Sequence, residues 1–302
     1  MQLGYYGLGK MGSHMVERLV EKGQTIVASN RSKEPIDEIA RVGAQTAYSL
    51  EEMVSKLAVP RTVWIMVPSS AVQEVIDRLV PLLEVGDTII DGGNTFFEDT
   101  VRRASELAEK NINFLDAGVS GGPGGAREGA CVMVGGPKEL YSQYEQLFKD
   151  AAAPDAYGYM GRSGAGHFVK MVHNGIEYGM MQAIAEGFTV LRESDFGLDL
   201  LEVSRIYNHQ SVITSRLTAW LEEAYQEQGV DLVAISGSVS HSGEGQWTVE
   251  AAKKLGIDVA VIEQSLEFRK QSQNNPSYTG QVLSALRGQF GGHPVKKDET
   301  TQ

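Results

Sequence analysis

Six short apolar runs in the first 135 residues alternate with segments that are long enough to form a helix. The runs lie at residues 3–7, 25–29, 62–67, 87–91, 113–119 and 130–135. Strands separated by helices are joined by crossover connections, and such connections build a mostly parallel sheet that is covered by helices. The alternation therefore predicts an α/β fold with a doubly wound, mostly parallel sheet in the N-terminal half.

The composition changes beyond about Tyr159, where the β-rich runs give way to helix-forming residues. The stretch from Ser163 to about Asp195 contains no proline, which favours one unusually long helix. The segment 151–158, which includes Pro154, is the predicted linker. We expect the sheet domain at 1–160, an all-α C-terminal domain at 161–295 and a polar tail at 296–302.

A glycine-rich turn follows the first apolar run. It matches the pattern G-x-G-x-x-G with the residues Gly7, Leu8, Gly9, Lys10, Met11 and Gly12. The pattern is weak alone, but here an apolar run precedes it and an amphipathic segment follows, which is the context of a dinucleotide-binding βαβ unit. A plain glycine turn is the less favoured alternative. The turn predicts a Rossmann-type domain that holds a dinucleotide at residues 7–12. We expect Val67, Pro68 and Asn94 to be further cofactor contacts.

The residues after the second apolar run bear on which dinucleotide is bound. They are Asn30, Arg31 and Ser32. An acidic residue here would accept hydrogen bonds from the ribose of NAD, whereas an arginine can pair with the 2′-phosphate of NADP. NADP is therefore favoured, and NAD stays an alternative because Asn30 could bond an unphosphorylated ribose. Arg31 could also be a solvated residue at the end of a strand.

The predicted long helix carries a polar, titratable face. At about 100° per residue, this face spans an arc of roughly 140° and comprises Lys170, His173, Asn174, Glu177 and Tyr178. A surface helix with a Lys–Glu ion pair is the alternative, but poor helix formers are seldom concentrated on such a helix without a reason. We hypothesise that Lys170 and Glu177 act as base and acid.

Two glycine-rich loops follow predicted strands, at the sheet edge where ligands bind in open α/β folds. Residues 91–95 (DGGNT) contain Asn94, and residues 120–125 (SGGPGG) contain Ser120, Gly121 and Gly122. Such backbone lets amide groups approach a carboxylate or a phosphate. We predict that these loops hold a substrate.

The charge balance limits the partners. Acidic residues outnumber basic ones by 39 to 27, a net charge of −12, and no basic block occurs, so we expect no nucleic-acid partner. No apolar run approaches the roughly 18 residues of a membrane span, and the first residues lack a signal-peptide pattern. We therefore expect no membrane contact and a cytoplasmic location, which the single cysteine, Cys131, also fits.

Five segments together resemble the 6-phosphogluconate dehydrogenases of the short-chain type, within the β-hydroxyacid dehydrogenase superfamily. They are YGLGKMG at 6–12, DGGN at 91–94, GVSGGPGGAREG at 118–129, VKMVHNGIEYG at 169–179 and RGQFGGH at 287–293. The last two are specific to this family. The glycine fingerprint and the SGG loop are shared with the wider superfamily, including the 3-hydroxyisobutyrate dehydrogenases.

The resemblance implies oxidative decarboxylation of 6-phosphogluconate to ribulose 5-phosphate and CO2, with reduction of NADP or NAD. It makes Lys170 the base that takes the C3 hydroxyl proton and Glu177 the acid that protonates C1 of the enediol. The substrate contacts that it implies are Asn94, Ser120, Gly121, Gly122, His173 and Asn174 for the sugar acid, Tyr178 and Arg269 for the phosphate, and Arg287 and His293. In the family the last two reach the active site of the partner subunit, so a homodimer or higher homo-oligomer is implied. No metal is needed, because the 3-keto intermediate is itself an electron sink.

One departure from the family concerns the phosphate: Ser242 stands where longer members usually have a phosphate-binding lysine. Two alternative functions stay open. Another β-hydroxyacid dehydrogenase would oxidise a smaller, unphosphorylated acid without decarboxylation, but its uncharged substrate tail would leave the donors of Tyr178, Arg269, Arg287 and His293 unpaired. A regulatory protein that binds a nucleotide without turnover would have no use for Lys170 and Glu177.

Overall fold

The computed structural model describes residues 1–240 and 243–291. The chain divides into two compact units, Met1–Lys170 and a second unit that begins at Met171. The first is an α/β unit, and the second is built from helices in its described part. The predicted fold class, a doubly wound and mostly parallel sheet followed by an all-α domain, is confirmed.

The first unit is organised around one eight-stranded sheet in the order β3-β2-β1-β4-β5-β6-β7-β8. The strands are β1 (Gln2–Tyr6), β2 (Thr25–Ser29), β3 (Gln45–Ala47), β4 (Thr62–Ile65), β5 (Thr88–Asp91), β6 (Asn113–Ser120), β7 (Ala130–Gly135) and β8 (Ala152–Gly161). Neighbours are parallel except for β6 and β7, which are antiparallel. The strand order reverses direction beside β1, so the fingerprint turn lies at the point where ligands bind in this class of sheet.

Helices connect these strands. They are α1 (Lys10–Glu21), α2 (Glu34–Ile39), α3 (Leu50–Ser55), α4 (Ser69–Leu79), α5 (Phe97–Ala108), α6 (Gly122–Glu128) and α7 (Lys138–Ala151). Both faces of the sheet are buried: Leu3 and Tyr5 lie in one hydrophobic core, and Tyr6, Val63 and Ile65 lie in the other. Burial on both faces explains why the strands are continuous apolar runs without polar alternation.

The prediction of a linker at 151–158 is wrong. Residue 151 ends α7, and β8 begins at Ala152 and pairs in parallel with β7, through Val132 with Tyr157 and Val134 with Tyr159. Pro154 is tolerated because β8 is an edge strand, where a missing N–H breaks no central ladder. Strand β3 was also not predicted, since its three residues give no periodic signal.

The predicted long helix is confirmed as α8 (Ala165–Arg192), of 28 residues. The two units divide after Lys170, inside this helix, whereas the sequence-based boundary was placed at residue 160. The difference arises because the first turns of α8 belong to the first unit. The buried carboxylate of Asp116 on β6 accepts the backbone N–H groups of Gly164 and His167.

The second unit contains the rest of α8 and five more helices among its described residues. These are α9 (Leu200–Tyr207), α10 (Arg216–Gln228), α11 (Glu244–Leu255), α12 (Ala260–Gln271) and α13 (Tyr278–Gly291). Its main core includes Leu221, Val239, Val282 and Leu286, all fully buried. Within the described ranges of the whole chain, no helix is both long enough and apolar enough to cross a membrane.

Candidate active site

The fingerprint turn joins β1 to α1 with a geometry that needs glycine. Gly7 has a φ of +111°, and a Cβ there would clash with the carbonyl oxygen of Met66. A Cβ on Gly12 would clash with the carbonyl oxygen of Gly7. Because glycine has no Cβ, α1 can pack this closely against the turn and begin directly after it. In contrast, a Cβ on Gly9 would meet no atom within 4 Å, so the backbone there is open to an approaching group.

The start of α1 can receive an anion. Its N-cap, Gly9, offers no side-chain cap, so backbone N–H groups of the first turn can face a phosphate. Lys10 is exposed at this end, whereas Leu8 and Met11 pack in the core. Leu8 is buried and can therefore meet a cofactor only through its backbone, whereas Met11 is half-buried.

Asn30 ties the end of β2 to the fingerprint turn. Its Oδ1 accepts the backbone N–H of Leu8 at 3.1 Å, and its Nδ2 donates to the hydroxyl of Ser32 at 3.0 Å. Arg31 is exposed, and its guanidinium has no hydrogen bond or ion pair with the residues that the structure describes. The guanidinium of Arg31, at the end of β2, is therefore available to a ligand.

The ends of β4 and β5 lie at the same edge of the sheet as the fingerprint, because β1, β4 and β5 are parallel neighbours. Val67 lies beside Gly7, since its Cγ1 would be 2.9 Å from a Cβ there, and Pro68 caps α4. Asn94 is exposed in the loop after β5. The carboxylate of Asp91 shapes this loop by accepting the N–H of Gly93 at 2.9 Å.

The loop after β6 adds a second polar turn at this edge. Ser120 ends the strand, and Gly121 (φ +127°) and Gly122 (φ +63°) turn the chain into α6. All three are half-buried. Two consecutive left-handed residues are accessible to glycine at little cost, and they keep the backbone free of side chains for a ligand.

Lys170 is the last residue of the first unit. It is half-buried, and its stem lies over β6: a Cβ on Gly118 would be 2.5 Å from the Cβ of Lys170 and 3.2 Å from its Cγ. Gly118 precedes Ser120 by two residues on the same strand. The first unit thus brings the lysine stem and the Ser120 turn to the same strand end.

His173, Asn174 and Glu177 follow on α8 in the second unit, and all three are half-buried. The Nδ1 of His173 lies 3.0 Å from Oδ1 of Asn174 and 3.8 Å from Oε2 of Glu177. One continuous helix therefore carries both Lys170 and Glu177. Their seven-residue separation is about two turns, as the sequence predicts.

Tyr178 and Arg269 form a buried pair in the second unit. The guanidinium carbon of Arg269 lies 3.5 Å from the centroid of the Tyr178 ring, a close cation–π contact. The ring also packs on Gly245, where a Cβ would lie 2.6 Å from ring carbons. Arg269 is 1% exposed and Arg287 is 7% exposed, so two cations are buried in this unit.

This pair has unused hydrogen-bonding groups. The hydroxyl of Tyr178 and the Nε and Nη1 of Arg269 are buried, and none of them has a hydrogen-bond partner among the described residues. Burial lowers the pKa of Arg269 to about 10, with nearby Tyr178 opposing the shift and Arg287 adding to it. Unsatisfied buried donors are rare in folded proteins and call for a ligand, an ion or water. An anion would fit both the donors and the charge.

The sequence reasoning missed Glu244, which belongs to the same cluster. It begins α11, is buried, and its charge favours the protonated form of Arg269. The sequence signal for Glu244 was its position beside Gly245, in the turn that precedes Trp247 and Thr248. Because an acidic residue repels a phosphate, its residue type gave no reason to select it as a site residue.

Two residues singled out in the sequence, His293 and Ser242, lie outside the described residues. Across residues 1–240 and 243–291, no group of three or more histidine, cysteine or acidic side chains is arranged to hold a metal ion.

Two family models match the chain. The NAD-binding domain of 6-phosphogluconate dehydrogenase matches residues 2–172, and the C-terminal domain of 6-phosphogluconate dehydrogenase matches residues 166–300. The chain belongs to the 6-phosphogluconate dehydrogenase family. It is accordingly an oxidoreductase with an NAD(P)-binding Rossmann domain.

Two relatives cover the chain almost end to end. A Bacillus subtilis protein, YqeC, provisionally named a 6-phosphogluconate dehydrogenase, is 44% identical over 297 residues, 98% of this chain and 100% of its own. The NAD+-dependent, decarboxylating 6-phosphogluconate dehydrogenase of Haloferax volcanii is 41% identical over 302 residues, 99% of this chain and 100% of its own. The family therefore includes members of this chain's length.

A solved family member has the same fold. The 6-phosphogluconate dehydrogenase of Plasmodium falciparum, solved alone, with NADP+ and with 6-phosphogluconate, matches with a TM-score of 0.77 at 28% identity. The match covers 95% of this chain and 70% of that one. This 6-phosphogluconate dehydrogenase fold thus accounts for nearly the whole chain.

Proposed function

We propose that the protein catalyses the oxidative decarboxylation of 6-phospho-D-gluconate to D-ribulose 5-phosphate and CO2, with reduction of NADP or NAD. The observation that carries this proposal is the buried pair of Tyr178 and Arg269, whose donors lack a hydrogen-bond partner among the described residues and whose buried charge suits the phosphate of a sugar acid. The decarboxylating relative from Haloferax volcanii supports the same reaction class.

In the proposed reaction, Lys170 accepts the proton of the C3 hydroxyl while hydride leaves C3. The nicotinamide, when bound, supplies the hydride acceptor. The resulting 3-keto acid loses its C1 carboxylate as CO2, the electron pair of the broken bond forms the C2–C3 double bond of an enediol, and the C3 oxygen takes back the proton that Lys170 holds. Glu177 then donates a proton to the former C2, which becomes C1 of ribulose 5-phosphate, while the hydroxyl at the former C3 returns its proton to Lys170 and becomes the ketone. The Nδ1 of His173 lies 3.8 Å from Oε2 of Glu177, so the charge of His173, when protonated, would stabilise the carboxylate form of Glu177.

The other site residues hold the ligand in this proposal. In the first unit the sugar acid is bound by Asn94 and by the turn of Ser120, Gly121 and Gly122. In the second unit His173 and Asn174 bind its hydroxyls. The phosphate is held by Tyr178, Arg269 and Arg287, which is buried near Arg269 in the same unit. Unlike the family pattern, in which Arg287 and His293 both reach the partner's site, this proposal draws only the C-terminal segment with His293 from the partner. The fit of the fingerprint to a dinucleotide rests on the open backbone at Gly9 and the uncapped start of α1.

The rival function is oxidation of a smaller acid, as by a 3-hydroxyisobutyrate dehydrogenase, without loss of CO2. A substrate with an uncharged tail would leave Nε and Nη1 of Arg269 buried without a hydrogen-bond partner among the described residues, which is costly. A regulatory protein that binds a nucleotide without turnover is the third candidate, and Lys170 and Glu177 on one helix argue against it.

A spectrophotometric assay separates these three functions. We expect absorbance at 340 nm to rise with 6-phosphogluconate, with one CO2 released per reduced cofactor, and a far smaller rate with 3-hydroxyisobutyrate. A rate with 3-hydroxyisobutyrate alone and no CO2 would establish the rival. Stoichiometric cofactor binding without any absorbance change would establish the regulatory protein.

We also propose that NADP is the preferred cofactor, because Arg31 is exposed and available to a 2′-phosphate. Replacing Arg31 with Asp should shift the ratio of kcat/KM for NADP to that for NAD by about 10–100-fold toward NAD, since a charge-assisted contact is lost. Steady-state kinetics with both cofactors measure this ratio. Arg41→Asp makes the same charge change at another exposed arginine and should leave the ratio unchanged. An unaltered ratio in Arg31→Asp would overturn the assignment of Arg31 to the 2′-phosphate. The similarity to the NAD+-dependent relative from Haloferax volcanii would then favour NAD as the cofactor.

The assembly that we propose is a homodimer or higher homo-oligomer in the cytoplasm, in which the C-terminal segment of each chain completes the site of its partner. Exposed apolar side chains on the second unit support an interface there: Phe196 is 85% exposed, and Val190 and Val212 are also exposed. Such side chains are more favourable when covered by another subunit.

A further inference from the structure

Asp116 is a fully buried acidic residue in the middle of β6, to which the proposed reaction assigns no role. Its Oδ1 accepts the backbone N–H of Gly164 at 2.7 Å, and its Oδ2 accepts the backbone N–H of His167 at 2.9 Å. Gly164 directly precedes α8, and His167 lies in its first turn. One carboxylate on a central strand thus holds the start of the helix that carries Lys170.

Other contacts fix the same turn in the same place. The ring Nδ1 of His167 lies 2.8 Å from the hydroxyl of Thr100 on α5, and a Cβ on Gly166 would lie 2.9 Å from the carbonyl oxygen of Asp116 and 2.8 Å from the backbone nitrogen of Gly135. The helix can approach the strands this closely only because residue 166 is glycine. Its start is therefore anchored to β6 and β7 at several points.

The anchored turn places Lys170 one turn further along. A Cβ on Gly118 would lie 2.5 Å from the Cβ of Lys170, so the lysine stem rests directly on β6. Asp116 and Gly118 are two residues apart and therefore point to the same face of the strand. The strand that ends in Ser120 hence determines where the lysine stem begins.

We propose that Asp116 is a positioning residue: its carboxylate fixes the first turn of α8 on β6, so that Lys170 is held over Gly118 in the place where it acts. This inference rests on the proposed function of Lys170. Two hydrogen bonds from N–H groups at a helix start to a carboxylate are charge-assisted and are strengthened by the helix dipole. A neutral amide at residue 116 can accept one of the two N–H groups but presents its own N–H donors to the other.

A matched control exists in the same sheet. Asp87 is also fully buried, and its carboxylate also accepts two backbone N–H groups, from Arg61 at 2.6 Å and from Glu84 at 2.9 Å. It lies just before β5, at the opposite end of that strand from Asn94. Its Oδ2 also pairs with Nη1 of Arg61 at 3.1 Å, so Asp87→Asn removes a buried carboxylate with one additional charged contact, without touching α8.

The experiment compares wild type, Asp116→Asn and Asp87→Asn at a temperature where all three are folded. We expect kcat of Asp116→Asn to fall about 100-fold, because a misplacement of about 1 Å costs that much. Its affinity for the cofactor should stay unchanged, since the fingerprint lies on β1 and α1. Asp87→Asn should lower the thermal midpoint and leave kcat within about 3-fold, as expected for a residue that only stabilises. Equal loss of kcat in the two variants would overturn the inference.

Two measurements do not depend on turnover. Amide hydrogen exchange should accelerate at Gly164 and His167 in Asp116→Asn, and at Arg61 and Glu84 in Asp87→Asn. Acetylation of Lys170 by an amine reagent, followed by mass spectrometry relative to exposed Lys149, should change only in Asp116→Asn. If wild type released no CO2, the proposed function would fail, and these two readouts would still decide whether Asp116 holds Lys170; unchanged values would refute it.

A second variant guards against misfolding of Asp116→Asn. Gly118→Ala keeps the carboxylate but puts a methyl group where the stem of Lys170 lies. It should lower kcat and alter Lys170 acetylation as Asp116→Asn does. Wild-type kcat and labelling in Gly118→Ala would show that the lysine position is not set by β6 and would refute the inference.

Discussion

Replacing Lys170 with methionine is expected to abolish measurable hydride transfer while cofactor binding stays nearly intact. Methionine keeps the length and the apolar stem that packs on Gly118 but removes the amine. A positioned general base contributes about 10²–10⁴-fold to the rate, so kcat should fall by at least the lower end of that range.

The measurement pairs single-turnover absorbance at 340 nm with cofactor titration by fluorescence. Lys138→Met is the matched control, since Lys138 also belongs to the first unit and lies over the rings of Tyr141 and Tyr159. The Lys138→Met variant should lose thermal stability at most and should keep hydride transfer. Turnover of Lys170→Met comparable to wild type would remove Lys170 from the role of base.

The sequence predicted the parts of the fold that depend on local pattern. The fingerprint at 7–12 and the apolar runs predicted a Rossmann-type, mostly parallel sheet, because burial on both faces makes each strand a continuous apolar run. The absence of proline predicted α8. Strand β8 was missed because Pro154 gives the signal of a break, and only pairing with β7 outweighs it.

The sequence singled out Lys170 and Glu177 by their residue types and spacing on one helix, the family resemblance added Arg269, and the roles of all three stay predictions. The sequence could not predict the groups whose role depends on distant partners. In the sequence, Asp116 is one polar residue within a predicted strand. In the structure it accepts hydrogen bonds from Gly164 and His167, about fifty positions later, and only these contacts indicate a role. Likewise, the burial of Glu244 beside Arg269 is a product of tertiary packing.

Arg269→Met is expected to raise KM for 6-phosphogluconate strongly. Without a bound anion, it is not expected to lower the thermal stability of the protein. Truncating one partner of a buried charge pair typically costs about 2–5 kcal/mol, so kcat/KM should fall by about 30- to 4,000-fold. With unphosphorylated gluconate the same substitution should change kcat/KM far less, because that substrate presents no phosphate to the guanidinium. The ratio of the two substrates isolates the phosphate contact from general damage.

The sign of the stability effect follows from the pKa of Arg269, which burial lowers from its ordinary value to about 10. A cation with a lowered folded-state pKa destabilises the fold at every pH below about 10, and this penalty disappears as pH rises from about 10 to the ordinary pKa of arginine. The shift corresponds to a cost on the order of 3 kcal/mol at neutral pH. Without a bound anion, Arg269→Met should therefore unfold at the same temperature as wild type or at a higher one.

Inorganic phosphate completes the test, because it can supply the missing anion without any chemistry. We expect phosphate to raise the midpoint of thermal unfolding of wild type and to leave that of Arg269→Met unchanged, since a ligand stabilises only the state that binds it. Arg192→Met is the matched control: Arg192 lies 4.2 Å from the ring of Tyr278 but is half-exposed and paired with Asp231. That variant should keep the full response to phosphate. If Arg269→Met responded as strongly as wild type, the buried arginine would not be the phosphate ligand, and the preference for a phosphorylated sugar acid would need another source.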